Sequence, residues 1–579
     1  MNPGQVTPSK HVPSTAVAPT IQKKIVGVTG DGPDDGYQHL FSALADLYPV
    51  EFRRINSSGY RGLDALVVLE DDPAKGVAAA VEGLPSFVAL GRPGAPQASL
   101  SEGVRLDACK VLEDCLRNQL MMGCGSDRFC ALTVEPGDEI VASVGAQPVW
   151  LARPRGKATC QIAGVSLPVI RKKEFLFQDF NGERFLQLLP LMNFLRQLVK
   201  DIDWQSASLP ACFVVDDPSP YLPSYGHLNF RRLGENATKH DFYVSVAIIP
   251  LDTWWVNQGV AETFRSFSPR LSVLMHGNDH TWGEMLVENG SAAGYLVRAA
   301  QALRRMERLE QRHGLELFKI MEPPHGLIAE GMFRHLLSLG YEAVLGSTQR
   351  LIQHNPAAGW HTNFGLDRSQ FLGGGLPVIP RIMMSPRWRN DVLLAAFLRQ
   401  PIVIAAHHWD LADGDKLLVE IADMINDLKL ATWTSPSGIV RTNYMELRRA
   451  DGLSVKLYSR RIHLAIPSGV KSLWLHRPWL HGRQAEELII HHSGQEIFRA
   501  TGPAILGPIP VESPCRLEVY CPPANPVDHR SVVSPGPALW PVLRKVLMET
   551  RDRSTPWRYR VAKFLRGPLA KLPGNKGKC

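Results

Sequence analysis

A chain of 579 residues is too long for one hydrophobic core and calls for about three domains. Its 45% apolar and 21% charged content is ordinary for a folded protein, and no apolar run approaches the roughly 18 uninterrupted residues of a membrane span; the best, "VLLAAFLRQPIVIAA", is broken by Arg399, Gln400 and Pro401. The net charge of +8 sits at one end: residues 543–579 hold eleven Lys and Arg against Glu549 and Asp552, a balance of +9, so the other 542 residues are near −1.

Residues 1–20 are rich in Pro, Ser and Thr without a continuous apolar core, which predicts a disordered leader rather than a secretory signal and makes a cytoplasmic location the default. The nine cysteines form no Cys-x-x-Cys pair and no small-domain disulfide pattern, so they read as free thiols. "KIVGVTG", "LDALVVLED" and "SFVALG" are strand-length apolar runs separated by helix-compatible stretches, the rhythm of a parallel α/β sheet. Residues 134–170 read as successive strands with a Gly-Lys turn. This layout resembles the class I glutamine-amidotransferase-like domains, which implies a flavodoxin-like α/β domain over residues 21–200. Such enzymes carry a Gly-x-Cys-x-Gly elbow that is absent here, since "GCGS" at Gly123 has the wrong spacing, so the domain is expected to be a non-catalytic scaffold.

"GERFLQLLPLMNFLRQLVKDI" carries helical periodicity and leads to a segment, residues 205–430, in which strand and helix alternate: "CFVV", "FYVSVAII", "LSVLM", "LFKIM", "YEAVLG", "LPVIP" and "PIVIAA". That alternation predicts a (β/α) barrel. Runs such as "SVKLYS", "RIHLAIP" and "RLEVYCPP" between residues 440 and 542 predict a β-sandwich, followed by a basic helical tail over 543–579.

Polar residues gather just after the barrel strands. Asp216 and Asp217 follow "CFVV", His276 and His280 follow "LSVLM", Glu322 and His325 follow "LFKIM", and His407, His408 and Asp410 follow "PIVIAA". In a parallel barrel these positions open onto one face, where active sites are built. A His-x-x-x-His pair on a starting helical turn, with one carboxylate, makes a three-ligand site with open positions that suits a divalent first-row metal, zinc first. Taken singly each feature has a plainer account: an Asp-Asp-Pro turn, a surface histidine pair, histidines packed around Trp409, a rigid Pro-Pro loop. Those accounts must all fail together at the same end of consecutive strands.

The set resembles the polysaccharide deacetylase family, also called the NodB homology domain or carbohydrate esterase family four, over residues 205–430. "VVDDP" matches its first motif, implying Asp216 as general base and Asp217 as metal ligand; "HGNDH" matches its second, implying His276 and His280 as ligands; "IAAHH" matches its last, implying His407 first and His408 second as general acid. "MEPPHG" departs from its third: Glu322 stands where the family has an arginine that orients the base, and His325 where it has a tyrosine. Pro218 replaces a glycine, and Arg381 after "LPVIP" is the candidate replacement for the missing arginine. A carboxylate at Glu322 close to Asp216 is expected to raise the pKa of the base unless a cation compensates.

The resemblance implies a metal-dependent enzyme that deacetylates a sugar carrying N-acetyl (or O-acetyl) groups; the alternative is a catalytically lapsed glycan-binding or assembly protein on the same fold. A non-haem iron oxygenase shares the two-His-one-carboxylate set but is disfavoured by the strand-helix alternation. The tail, with Trp557, Tyr559 and Phe564 among basic residues, suits either a solvated helix packed on the sandwich or one lying on anionic lipid, at the inner membrane face. Nucleic acid is the least favoured partner, because no binding motif accompanies the charge.

Overall fold

A computed structural model describes residues 22–566 apart from 31–33, 56–59, 71, 91–97, 100–101, 124–126, 207, 287–291, 483 and 536–538, so the leader and the last thirteen residues lie outside the described residues. It is a mixed α/β protein with several sheets. Toward the N-terminus, strands Val50–Arg54, Lys24–Gly30, Ala65–Leu69, Ser86–Leu90 and Ala158–Ser166 lie side by side in parallel. Gln147–Arg155, Glu139–Val144, Val104–Leu106 and Leu120–Met121 extend the sheet in antiparallel fashion. Gly156, at φ +62, turns the Gly-Lys hairpin between Arg155 and Ala158.

The helix expected over "GERFLQLLPLMNFLRQLVKDI" is shorter, Leu189–Leu198, because Pro190 fixes the first turn and cannot lie deeper. Cys109, Cys115, Cys160, Cys212, Cys515 and Cys521 are in no disulfide, while Cys124 and Cys579 lie outside the described residues.

The central strands are β1 Leu209–Asp216, β2 Val244–Ile248, β3 Leu271–His276, β4 Ile320–Glu322, β5 Ala343–Gly346, β6 Leu376–Pro380 and β7 Ile402–His407. Each pairs in parallel with the next as far as β6, and β7 pairs back with β1. The gap between β6 and β7 is bridged by the chain itself, since Ile382–Met383, one residue beyond β6, pairs in parallel with β7. The pairings therefore return to their start, and Arg381 is the residue at which the strand leaves one neighbour for the other.

Parallel strands buried on both faces read as unbroken apolar runs, and β1 is buried at every position. Alternation still sorts its side chains: Cys212 and Val214 belong to a cluster with Leu274, Ile320, Leu345, Ile379 and Val403, inside the ring, whereas Ala211, Phe213 and Val215 face the helices outside.

Beyond residue 440 the chain builds a four-stranded sheet and most of a five-stranded one, whose edge strand Gln205–Ser206 comes from ahead of the central strands and pairs antiparallel with Tyr444–Arg448. The two sheets enclose one apolar cluster, with Leu453, Val455 and Leu457 from the five-stranded sheet opposing Ile462, Leu464 and Ile466 from the four-stranded one. The tail helix begins earlier than expected and spans Leu539–Arg566. Its contacts among the described residues include the loops at the C-terminal ends of the central strands: Tyr225 and Ser224 after β1, Asp252 after β2, His280 after β3 and His408 after β7.

Candidate metal centre

The parity that fills the ring also aims the polar residues. Asp216 lies two positions past Val214, His276 two past Leu274, Glu322 two past Ile320, Arg381 two past Ile379 and His407 four past Val403, so all five share the interior direction at the C-terminal end. Register agrees, with Asp216 opposite His407 and His276 opposite Glu322.

Asp217 breaks the alternation. Its φ of +81, uncommon for a non-glycine residue and costly by about 1–3 kcal/mol, turns the chain out of β1, and its amide is tied to the Ala247 carbonyl at 3.2 Å. The turn carries Asp217 Oδ1 to 3.3 Å from His276 Nε2 and 3.0 Å from His280 Nε2. Ligand atoms of the three residues all lie within 4.8 Å of one another.

His280 does not arrive on a helical turn as expected. Gly277 at φ +62 and His280 at φ +54 fold the loop back, and the buried Glu284 carboxylate holds it by accepting from the amides of Asn278 at 2.9 Å and Asp279 at 2.8 Å. A Cβ on Gly277 would stand 2.1 Å from Glu284 Oε1, so glycine is required there.

The donor set fits a cation. His276 lies between two carboxylates, with Nδ1 against Glu322 and Nε2 3.3 Å from Asp217 Oδ1; with its proton on the Glu322 side, Nε2 would offer its lone pair to a cation. Burial lowers the His276 pKa, which keeps the ring neutral. Burial pushes Asp217 upward, yet the two imidazoles outweigh it and hold the carboxyl well below the usual range. Asp217 Oδ1 is itself buried and faces the two imidazole nitrogens. Two nitrogens and an oxygen thus converge, which is the facial arrangement that zinc and related divalent ions take.

A second grouping, Asp216, His276 and Glu322, is also close enough to hold an ion. There a guanidinium already serves. Arg381 bonds Asp216 in bidentate fashion, Nη2 to Oδ2 at 3.1 Å and Nη1 to Oδ1 at 3.4 Å, and its Nη1 also contacts Glu322. All three side chains are no more than 5% exposed. Glu322 therefore does not stand unbalanced beside Asp216, because Arg381 lies against both carboxylates. It acts as the partner of His276, a role that became visible only with β3 and β4 side by side.

The two histidines after β7 part company. His407 stacks on Trp409 at 4.6 Å at the mouth, and its amide donates to Asp410 at 2.8 Å. His408 is buried against Gly226, where a Cβ would stand 2.2 Å from Nδ1, and edge-on to Tyr225. Burial drives the His408 pKa down to about 4, against the pull of Asp552 and Asp217. His325, at φ +58, packs its ring against His280 at 4.7 Å and Trp282 at 4.9 Å on the rim.

The tail helix lies over this mouth with its polar side inward. Lys545 Nζ meets the fully buried Asp252 at 2.6 Å and Glu549 at 3.4 Å, Tyr225 Oη donates to Asp552 at 2.7 Å, and Arg553 donates to the Ser224 carbonyl at 3.1 Å. Arg544 donates to the His280 carbonyl and sits 3.4 Å from His280 Nδ1. Charge composition located this segment but said nothing about its seat; the signal that could have found it is the unexplained Asp252 after β2.

No family model matches the chain, and no curated protein matches it either. Solved structures do match, weakly. A putative polysaccharide deacetylase from Mycobacterium smegmatis aligns at 12% identity and TM-score 0.27, covering 41% of this chain and 97% of its own. A deacetylase solved with substrate aligns at 13% and 0.24, covering 40% and 90%. A CE4 family pseudoenzyme from Bacillus anthracis aligns at 13% and 0.23, covering 39% and 63%. With likeness this low, the functional reading has to stand on the side chains described above.

Proposed function

We propose that the protein is a metal-dependent deacetylase acting on an N-acetylated (or O-acetylated) sugar, built on a (β/α) barrel of deacetylase type. The observation that carries this reading is the meeting of Asp217, His276 and His280 beside an Asp216 held by Arg381, all at one end of the ring. A divalent ion there, zinc by its nitrogen and oxygen donors, would lower the pKa of a coordinated water toward ~7 and polarise the acyl oxygen.

The protein's own residues do the rest. Asp216 accepts the proton of the attacking water, and Arg381 orients the carboxylate through its two hydrogen bonds. His407, on the interior parity, donates a proton to the departing nitrogen; His408, with its pKa near 4, is neutral at neutral pH and cannot donate as an imidazolium. Glu322 fixes the tautomer of His276. Trp409 and Trp282, 44% and 75% exposed, flank the mouth as flat apolar surfaces of the kind sugars stack on.

The N-terminal sheet fits the role of a non-catalytic, amidotransferase-like scaffold. Burial raises the thiols of Cys109 and Cys160 to about 11 and Cys115 to about 12, which leaves them poor nucleophiles.

The test is elemental analysis of the purified protein together with acetate release from N-acetylated hexosamine oligomers. One equivalent of metal, activity lost to a chelator and restored by zinc or cobalt, is the expected result; full turnover in a metal-free preparation sinks the proposal. A second reading, a lapsed enzyme that binds glycans, is favoured by the helix across the mouth, whose Arg544 sets a positive charge beside the cation site. Under that reading, glycan affinity survives Asp216→Asn and no acetate appears from the parent protein.

A further inference from the structure

The tail helix is turned inside out. Lys545, Glu549 and Asp552 on one side are 9%, 8% and 3% exposed, whereas Leu539, Leu543, Val546 and Leu547 on the other are 86%, 55%, 57% and 60% exposed. At 3.6 residues per turn the apolar four fall on a single face, opposite the buried charges, and Trp557 returns to that face five turns after Leu539. Trp540 and Trp557 are 63% and 69% exposed. Beside the helix, Trp254 is held by Tyr221, itself bonded to Asp252, the partner of Lys545; it is as exposed as these. A soluble helix of this composition ordinarily buries its leucines.

We propose that this face docks the protein, mouth first, on an anionic lipid surface. Two observations select lipid as the occupant. The apolar face is rimmed by tryptophans, the residue that settles at the level of lipid headgroups. From Arg553 onward the sequence carries eight Lys and Arg and no carboxylate, a charge complementary to phosphatidylglycerol or phosphatidylserine. No helix among the described residues is long and apolar enough to cross a membrane, so the proposed contact is a peripheral one. The proposal is independent of what the ring hydrolyses.

Sedimentation of the full chain with sucrose-loaded vesicles tests it. The probes are phosphatidylcholine alone and phosphatidylcholine with about 30 mol% phosphatidylglycerol. The disabling variant is Leu543→Glu with Leu547→Glu, which changes exposed side chains only, and an unchanged thermal melt confirms its fold. Binding is expected to the mixed vesicles, weakened at least about tenfold by the double variant and weakened again by high salt. A blue shift of tryptophan emission should accompany it and shrink in Trp540→Ala, Trp557→Ala. Equal binding to both vesicles, binding indifferent to the double variant, or no binding at all overturns the proposal. So does a self-associating chain that the double variant turns monomeric without any vesicle binding, which would assign the face to a second copy.

Discussion

In the ring, Asp216, His276, Glu322 and Arg381 point inward because each lies two residues past a buried apolar side chain of its own strand; in the tail helix Lys545, Glu549 and Asp552 point inward against the sense in which amphipathic helices ordinarily pack. The difference lies in what fixes direction. Strand alternation is anchored by its apolar positions, so a polar residue at the right offset has no choice of side. Helical periodicity says only that two faces exist. Which one meets the protein depends on what waits there, and here Asp252 and Tyr225 supply a buried carboxylate and a phenol that apolar side chains could not satisfy.

The largest effects should come from the ring. His276→Ala removes a proposed ligand that lies against both Asp217 and Glu322, and the purified variant should hold no stoichiometric metal by elemental analysis. Asp216→Asn should keep its metal yet lose turnover by about 10²–10⁴-fold, the range of general-base loss; turnover within a few-fold of the parent would exclude Asp216 as base.

On the helix side, Lys545→Ala leaves Asp252 buried without its cation. Removing one partner of such a pair costs about 3–5 kcal/mol, visible as a lower melting temperature. If stability is unchanged, the inward polar face is not what seats the helix. Glu322→Gln should weaken metal affinity by about 10–100-fold while preserving shape, because it removes the charge that orients His276. A variant with parent affinity would make Glu322 a counter-ion of Arg381 only.

How far the site was legible follows the same division. The ends of "CFVV" and "LSVLM" pointed to Asp216, Asp217 and His276, because an apolar run that breaks into polar residues marks a strand end in any parallel sheet. His280 was found by spacing but for the wrong geometry: the loop closes through left-handed Gly277 and His280 and through Glu284, none of which helical spacing encodes. Glu322 was read as a neighbour that disturbs Asp216. Its bond to His276 joins residues 46 positions apart, and its neutralisation by Arg381 depends on β6 passing between two partners at that very residue. Neither register nor ring closure is written in composition. The tail was legible as charge and amphipathicity, without orientation.

The smallest expected effect probes the place where the two regions touch. Arg544 sits 3.4 Å from His280 Nδ1, so its charge opposes any cation on the other side of that ring. Arg544→Gln should tighten metal binding by about 1 kcal/mol, roughly fivefold. The gain should depend on pH in a definite sense. Burial lowers the His280 pKa but Asp217 outweighs it, so in the metal-free protein the pKa is raised, and Arg544 is among the influences that restrain it. Metal needs the neutral ring, so affinity falls as pH drops through that raised pKa. Without Arg544 the pKa rises further, and protons compete harder. Well above it only the relief of repulsion remains and the full gain should appear; toward acid the gain should shrink and then vanish. Titrating parent and variant with zinc across this range reads both terms, and a gain that grows toward acid would show that Arg544 does not act through His280.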